Sequence, residues 1–166
     1  MAELDTIDRK ILKHLQRDAS LSLETLGEEV GLSRNACWRR VKALEDSGII
    51  TGRVALVDPL AIDLGLMVFM QVRTNQHDPD WAVRFSQATR AIPGISVGQM
   101  FLAGAIPGIL SVYRMTGDLD YLIRARVADM ADYDRLYQQL IKRLPLSDVS
   151  ASFVMEEIKD GTALPV

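Results

Sequence analysis

Apolar residues recur at helical spacing through the first third of the chain and then give way to strand-like runs. Leu4, Ile7, Ile11 and Leu15 share one helical stripe around Asp5, an N-cap residue, and the pattern stops near Asp18 to Ser22, which predicts a first helix. Ser22 is placed to cap a second, short helix, with Leu23, Leu26 and Val30 as its apolar face and Gly31 ending it in a left-handed conformation. Ser33 then caps a third. Two helices separated by a short break with a Gly have the spacing of a helix-turn-helix.

On a wheel at about 100° per residue, Cys37, Val41 and Leu44 fall within one narrow arc, which predicts the buried face of the third helix. Asn35, Arg39 and Lys42 lie opposite, with Trp38 on the flank. Asn pairs two edges of adenine, Arg pairs two edges of guanine in the major groove, and Lys reaches phosphate, so this set matches what a recognition helix needs. On the same reading, Cys37 is a small core residue. Trp38 can meet a thymine methyl or sugar, or pack against the following hairpin, and packing is the preferred of the two. Arg34 and Arg40 flank the buried arc, which suits phosphate contacts or intramolecular ion pairs better than base reading.

After Gly48 the run IITGRVALVDP predicts a short strand, a Thr51-Gly52 turn and a second strand stopped by Pro59, the outline of a wing. Residues 1–53 therefore form one unit and 54–65 a linker strand and connection. The next unit, 66–159, opens with LMVFMQVRT, apolar on both faces at its start, as a central or partner-covered strand requires. Asp78-Pro79 begins a helix whose inner stripe is Trp81, Phe85, Ala88 and Ile92. Strands follow at about 109–115 and 120–127, joined by the turn Thr116-Gly117-Asp118-Leu119. Met130, Tyr133, Leu136, Tyr137, Leu140 and Leu144 mark a second helix, and a last strand spans roughly 149–158. The order strand, helix, strand, strand, helix, strand predicts an α+β fold with a ferredoxin-like βαββαβ sandwich behind the winged helix-turn-helix. Residues 160–166 read as a loose tail.

Composition narrows the function. The net charge of −3 alone argues weakly against a nucleic-acid partner, but residues 1–53 hold nine basic and nine acidic side chains and the remainder ten and thirteen, so the first unit is the less acidic. No window offers a long uninterrupted apolar run and the N-terminus has no export pattern, so neither membrane insertion nor export is indicated and a cytoplasmic address follows. One Cys, far from His14 and His77, leaves no zinc-ligand spacing, and no catalytic cluster of His, Cys or carboxylates appears in the second unit. An enzyme, a metal and a cofactor are all unexpected.

The segments LDTIDRKILKHLQRDA, GLSRNACWRRVKALEDSGIITG, VDPLAIDLGL, YRMTGDLDYLIR and SFVMEEIK, in that order, resemble the leucine-responsive regulatory protein and asparagine-regulator family (Lrp/AsnC, or feast/famine regulators) over nearly the whole chain. The resemblance implies a sequence-specific transcriptional regulator of double-stranded DNA, with Ser33, Arg34, Asn35, Trp38, Arg39 and Lys42 on the DNA side. It also implies a homodimer built through the sheet, assembling further to a tetramer or octamer, and a small effector, usually an amino acid. In that family the effector site lies near the loop joining the second and third sheet strands, which here is Thr116, Gly117, Asp118, Leu119, Asp120 and Tyr121. The chemistry fits, because Gly117 permits close backbone approach and a carboxylate accepts an α-ammonium group. Gly and Asp are equally the residues of an ordinary tight turn. The alternative function is a nucleoid-type architectural protein that uses the same helix without an effector.

One feature departs from the family pattern: AIPGI occurs at 91–95 and again at 105–109, so fourteen residues are extra between the first sheet-domain helix and the strand ending in YRMTG. Ile95, Val97, Met100, Phe101, Leu102, Ile106 and Ile109 are too apolar to leave in water, while the Gly and Pro residues between 93 and 108 disfavour a long helix. Docking on a neighbouring subunit is the expectation. Deleting 91–104 leaves one AIPGI, and the variant is expected to fold, dimerise and keep its DNA-binding unit while its higher-order mass changes in light scattering; an unaltered mass would mean that the segment packs on its own domain.

Overall fold

The first unit is organised by the need of each helix to satisfy its leading N–H groups. The computed structural model describes residues 4–75, 80, 81, 83–85, 108–159, 161 and 163–166. Helix α1 (Thr6–Leu15) starts where Asp5 Oδ1 accepts from the backbone N–H of Ile7 and of Asp8, both at 2.8 Å, and Asp8 Oδ2 accepts from Asp5 N in return. Ser22 Oγ caps α2 (Leu23–Val30) by accepting from Thr25 N at 3.1 Å, and Ser33 Oγ caps α3 (Arg34–Asp46) by accepting from Ala36 N at 3.3 Å. Between them Gly31 takes φ 75°, ψ 35°, the left-handed conformation predicted for it. Ile11, Leu12, Leu26, Val30, Cys37, Val41 and Leu44 form the core that the three stripes enclose.

The chain divides into Met1–Leu56 with Ile158–Val166, and Val57–Glu157. The tail expected to be loose therefore belongs to the first unit: Gln16 Nε2 donates to Leu164 O at 3.1 Å, and Leu164 N donates to Gln16 Oε1 at 2.6 Å. A glutamine amide offers the same donor and acceptor pair as a peptide, so Gln16 satisfies both backbone groups of Leu164. The expected wing is also corrected. Residues 51–57 form no ladder, and Val54, Leu56 and Val57 are exposed. A two-residue hairpin of type I′ needs positive φ at both central residues, and Gly52 does not adopt it. Arg53 instead reaches back to Glu45 at 2.9 Å.

In the second unit β1 (Leu66–Arg73), β2 (Gly108–Arg114), β3 (Tyr121–Val127) and β4 (Asp148–Phe153) form one antiparallel sheet in the order β2-β3-β1-β4. The predicted central strand β1 is paired on both edges. Val68, Met70 and Val72 alternate onto the same face as Ile123, Ala125 and Val127, and α4 (Met130–Arg143) covers them through Leu136 and Leu140. Burying such a leucine is worth about 1.5–3 kcal/mol. Residues 80, 81 and 83–85 are helical, and Trp81 and Phe85, one turn apart, are both buried. Asp78, Pro79, Ala88, Ile92 and the extra segment up to residue 107 lie outside the described residues; of the second AIPGI, Gly108 and Ile109 are described and open β2.

Two boundaries differ from expectation. Met130, placed on the inner stripe of α4, is exposed in its first turn. The last strand ends at Phe153 rather than 158, because β4 pairs antiparallel with β1, which begins at Leu66. After the Val154 N to Met67 O bond at 2.9 Å there is no further strand to face.

Gly27 lies inside α2, and a Cβ there would come within 2.7 Å of the Leu32 carbonyl oxygen, just past the turn. Alanine ordinarily stabilises a helix by up to about 1 kcal/mol over glycine, but overlap with backbone reverses the sign here. Gly27→Ala is expected to cost about 1–3 kcal/mol in a urea melt, as overpacked sites do. A more stable variant would show that the turn yields freely.

Candidate nucleic-acid interface

The Ser33 cap sets where α3 begins, and burial of its apolar stripe sets which face turns outward. Cys37, Val41 and Leu44 are 0%, 3% and 4% exposed, and burial pushes the Cys37 thiol pKa up, so that sulfur is a core atom. Asn35, Arg39 and Lys42 are exposed, as the wheel predicts, and Arg34, placed beside the buried arc, is exposed as well. Trp38 is half exposed, and among the described residues no hairpin follows α3 for it to pack on. Ser33 is exposed with its hydroxyl oxygen engaged as the cap of α3. Lys42 pairs with Asp46 at 3.0 Å, an exposed bond of the kind worth a few tenths of a kcal/mol, about 0.3–0.5. Among the described residues, no ion pair or side-chain hydrogen bond engages Arg34, Asn35 or Arg39.

Arg40 is placed differently from Arg39, its neighbour. One of its terminal nitrogens lies 2.7 Å from Asp5 Oδ2 and 2.9 Å from Asp8 Oδ1, so of the two roles open to it the ion pair is the one formed. The Asp5 carboxyl is held below its ordinary value, first by the Asp8 backbone N–H and then by Arg40. Both aspartates lie at the start of α1, and that three-residue spacing is the signal that could have marked them as one site. An open groove of about 540 Å³ runs along this side of α3, lined by Leu4, Asp8, Ala36, Arg39, Arg40 and Ala43 among others.

The expected effector residues lie together at the turn between β2 and β3. Gly117 has φ 101°, a conformation that favours glycine. Thr116, Gly117 and Asp118 are exposed and Leu119 is half-buried. The Asp118 carbonyl accepts from Arg73 Nε at 2.9 Å, which leaves its carboxylate at the surface. Asp120 is built into the sheet end: its carboxylate accepts from Thr74 N at 2.8 Å, its N–H donates to Val72 O at 3.0 Å and its carbonyl accepts from Met115 N at 2.8 Å. Tyr121 is a core residue, 6% exposed, with its ring stacked on Phe85 at 3.8 Å between centroids.

Comparison with known proteins agrees with both halves. Residues 4–45 match the AsnC-type helix-turn-helix domain, and 102–164 the Lrp/AsnC ligand binding domain. The chain is 44% identical over 164 residues to the DNA-binding transcriptional activator DecR of Escherichia coli K12, covering 98% of this chain and 99% of that one. An AsnC family transcriptional regulator from Agrobacterium tumefaciens superposes with a TM-score of 0.86 at 40% identity, over 98% of this chain and 97% of that one. A transcriptional regulator from Neisseria meningitidis, solved as a complex with L-Met, gives a TM-score of 0.85 at 34% identity, over 98% and 97%. A three-helix unit with a capped, polar-faced third helix, joined to an antiparallel βαββαβ domain, is thus the arrangement of a known group of proteins that regulate transcription by binding DNA, and the chain belongs to that group, the Lrp/AsnC family.

Proposed function

We propose that α3 enters the major groove with Asn35 and Arg39 on base edges, that Lys42 and Arg34 meet phosphates, and that Ser33 and Trp38 lie at the margin of the same contact. The observation that carries this reading is the exposed pair Asn35 and Arg39, whose side chains have no bonding partner among the described residues, opposite the Cys37, Val41 and Leu44 core. The Lys42–Asp46 bond is weak enough to yield to phosphate. An amino acid binds at the β2–β3 turn, with Thr116, Gly117, Leu119 and the Asp118 carboxylate as its contacts and Asp120 and Tyr121 as the frame behind them. The complex of the Neisseria relative with L-Met supports an amino acid as the ligand class. The protein works in the cytoplasm as a homodimer or a larger assembly, and effector binding shifts that assembly or its grip on DNA.

A ligand-free architectural role is the second reading, favoured by one observation: the bonds of Asp120 and the burial of Tyr121 account for much of the turn without a ligand. Sequences selected from a random DNA pool, with and without a mixture of amino acids, separate the two readings. Arg39→Ala is expected to cost about 1–3 kcal/mol on the selected sequence and relax its base preference, whereas Lys42→Ala weakens all sequences more evenly. Unchanged specific affinity in the Arg39 variant would overturn the base-reading assignment. On the regulatory side, an amino acid is expected to raise the melting temperature, and Asp118→Ala to blunt that response while the fold survives, since only the backbone of Asp118 bonds to Arg73. Calorimetry of the full amino-acid panel without heat at millimolar ligand would favour the architectural role.

A further inference from the structure

We propose that Arg40 is a positioning residue for base reading: held jointly by Asp5 and Asp8, it fixes the rotation of α3 against the start of α1 and so aims Arg39 and Asn35. The inference rests on the assignment of α3 as the reading helix. Each aspartate divides its two oxygens between the same two tasks. Asp5 uses Oδ1 on the backbone N–H groups of Ile7 and Asp8 and Oδ2 on Arg40. Asp8 uses Oδ2 on Asp5 N and Oδ1 on Arg40. Neither carboxylate can follow a moving Arg40 without releasing the cap of α1, so the guanidinium is tied to the least adjustable part of that helix.

The tie matters because of what surrounds it. Asp8 and Arg40 both line the open groove beside α3, so the ion pair bridges a side that apolar packing leaves unfilled. Arg39 is the next residue along. With side chains extending some 5–6 Å from the helix axis, a rotation of about 20° would carry its base-contacting end by roughly 2 Å, more than a bidentate hydrogen-bonded contact tolerates. The three side chains are partly exposed, Asp5 the most and Asp8 the least, so their contribution to folding is modest, while their geometric effect does not depend on that contribution. Two carboxylates within 3 Å also neutralise Arg40, which removes it from the phosphate-binding set.

The experiment measures affinity for the selected sequence and for unrelated DNA across a salt series, using Arg40→Gln, Arg40→Lys, Asp8→Asn and Arg39→Ala in the full-length protein, with melting curves as the check on folding. Arg40→Gln and Asp8→Asn are expected to lose about tenfold of the discrimination between the two DNAs, a fraction of what good bidentate base contacts supply, with the salt slope unchanged. Asp8→Asn is the sharper arm, because it loses discrimination while removing a negative charge near DNA. Arg40→Lys recovers part of the loss by keeping one charged donor. A salt slope reduced by about one phosphate contact in Arg40→Gln, together with tighter binding in Asp8→Asn, would make Arg40 a phosphate ligand and overturn the proposal. Loss of discrimination in Arg39→Ala with none in Arg40→Gln or Asp8→Asn overturns the positioning role alone. Full discrimination in Arg39→Ala overturns the base-reading assignment and the positioning role with it.

Discussion

The first unit depends on one constraint: the leading N–H groups of a helix must find acceptors, and in α1, α2 and α3 a single Asp or Ser side chain supplies one. A cap does more than stabilise. It fixes the residue at which the helix begins, while the spacing of the residues at about 3.6 per turn decides which side chains share a face. Ser33 starts α3 early enough for its whole apolar stripe, Cys37, Val41 and Leu44, to be helical and buried, which leaves Asn35, Arg39 and Lys42 outward. Gly31 and Gly27 act on the same turn from the other side, the first by its left-handed backbone and the second by leaving room for the Leu32 carbonyl.

The second unit obeys a different constraint, that a strand needs partners along its whole length. β1 has them on both edges, and its Val68, Met70 and Val72 are fully buried because helices cover that face, whereas the opposite face runs from buried Met67 through half-buried Phe69 and Gln71 to exposed Arg73. β4 pairs with β1 from Arg73 to Val68 and stops near the beginning of β1. The turn at 116–119 is held by the same sheet end, through Asp120 bonded to Thr74 and Val72 and Arg73 bonded to Asp118. Whatever binds that turn would act on residues tied to the central strand.

What could be read from the sequence divides along the same line. Caps, the left-handed Gly31, the inward arc of α3 and the central position of β1 are local or periodic, so they are legible without knowing the fold. The wing was not, because residues 51–57 have strand character but no ladder partner among the described residues. The docked tail was not either, since Gln16 and Leu164 are 148 positions apart. Met130 fits the stripe of α4 by spacing, yet spacing cannot tell that the first turn overhangs the core. For the site, the exposed face of α3 was legible in full, whereas the split between exposed Asp118 and anchored Asp120 was not.

That split and the one between Arg39 and Arg40 have a common origin. In each case two residues of the same type lie next to or near each other on one element, and only one is taken up by the fold. Arg40 is claimed by aspartates 32 and 35 positions away, and Asp120 by Thr74, 46 positions away. The partner left over, Arg39 or Asp118, keeps its charged group at the surface. Periodicity sets Arg40 beside the buried arc and Arg39 opposite it but cannot name the partner, and it treats Asp118 and Asp120 alike, because the difference lies in distant carboxylates or backbone groups. A charged side chain whose hydrogen bonds are already made inside the molecule is a poor first choice as a ligand contact, since breaking those bonds opposes binding. An exposed one beside it, held on a backbone that its neighbour keeps rigid, loses less on binding and is aimed more accurately. The proximity of a fixed and an unfixed copy is thus what makes these two places in the chain suited to recognition.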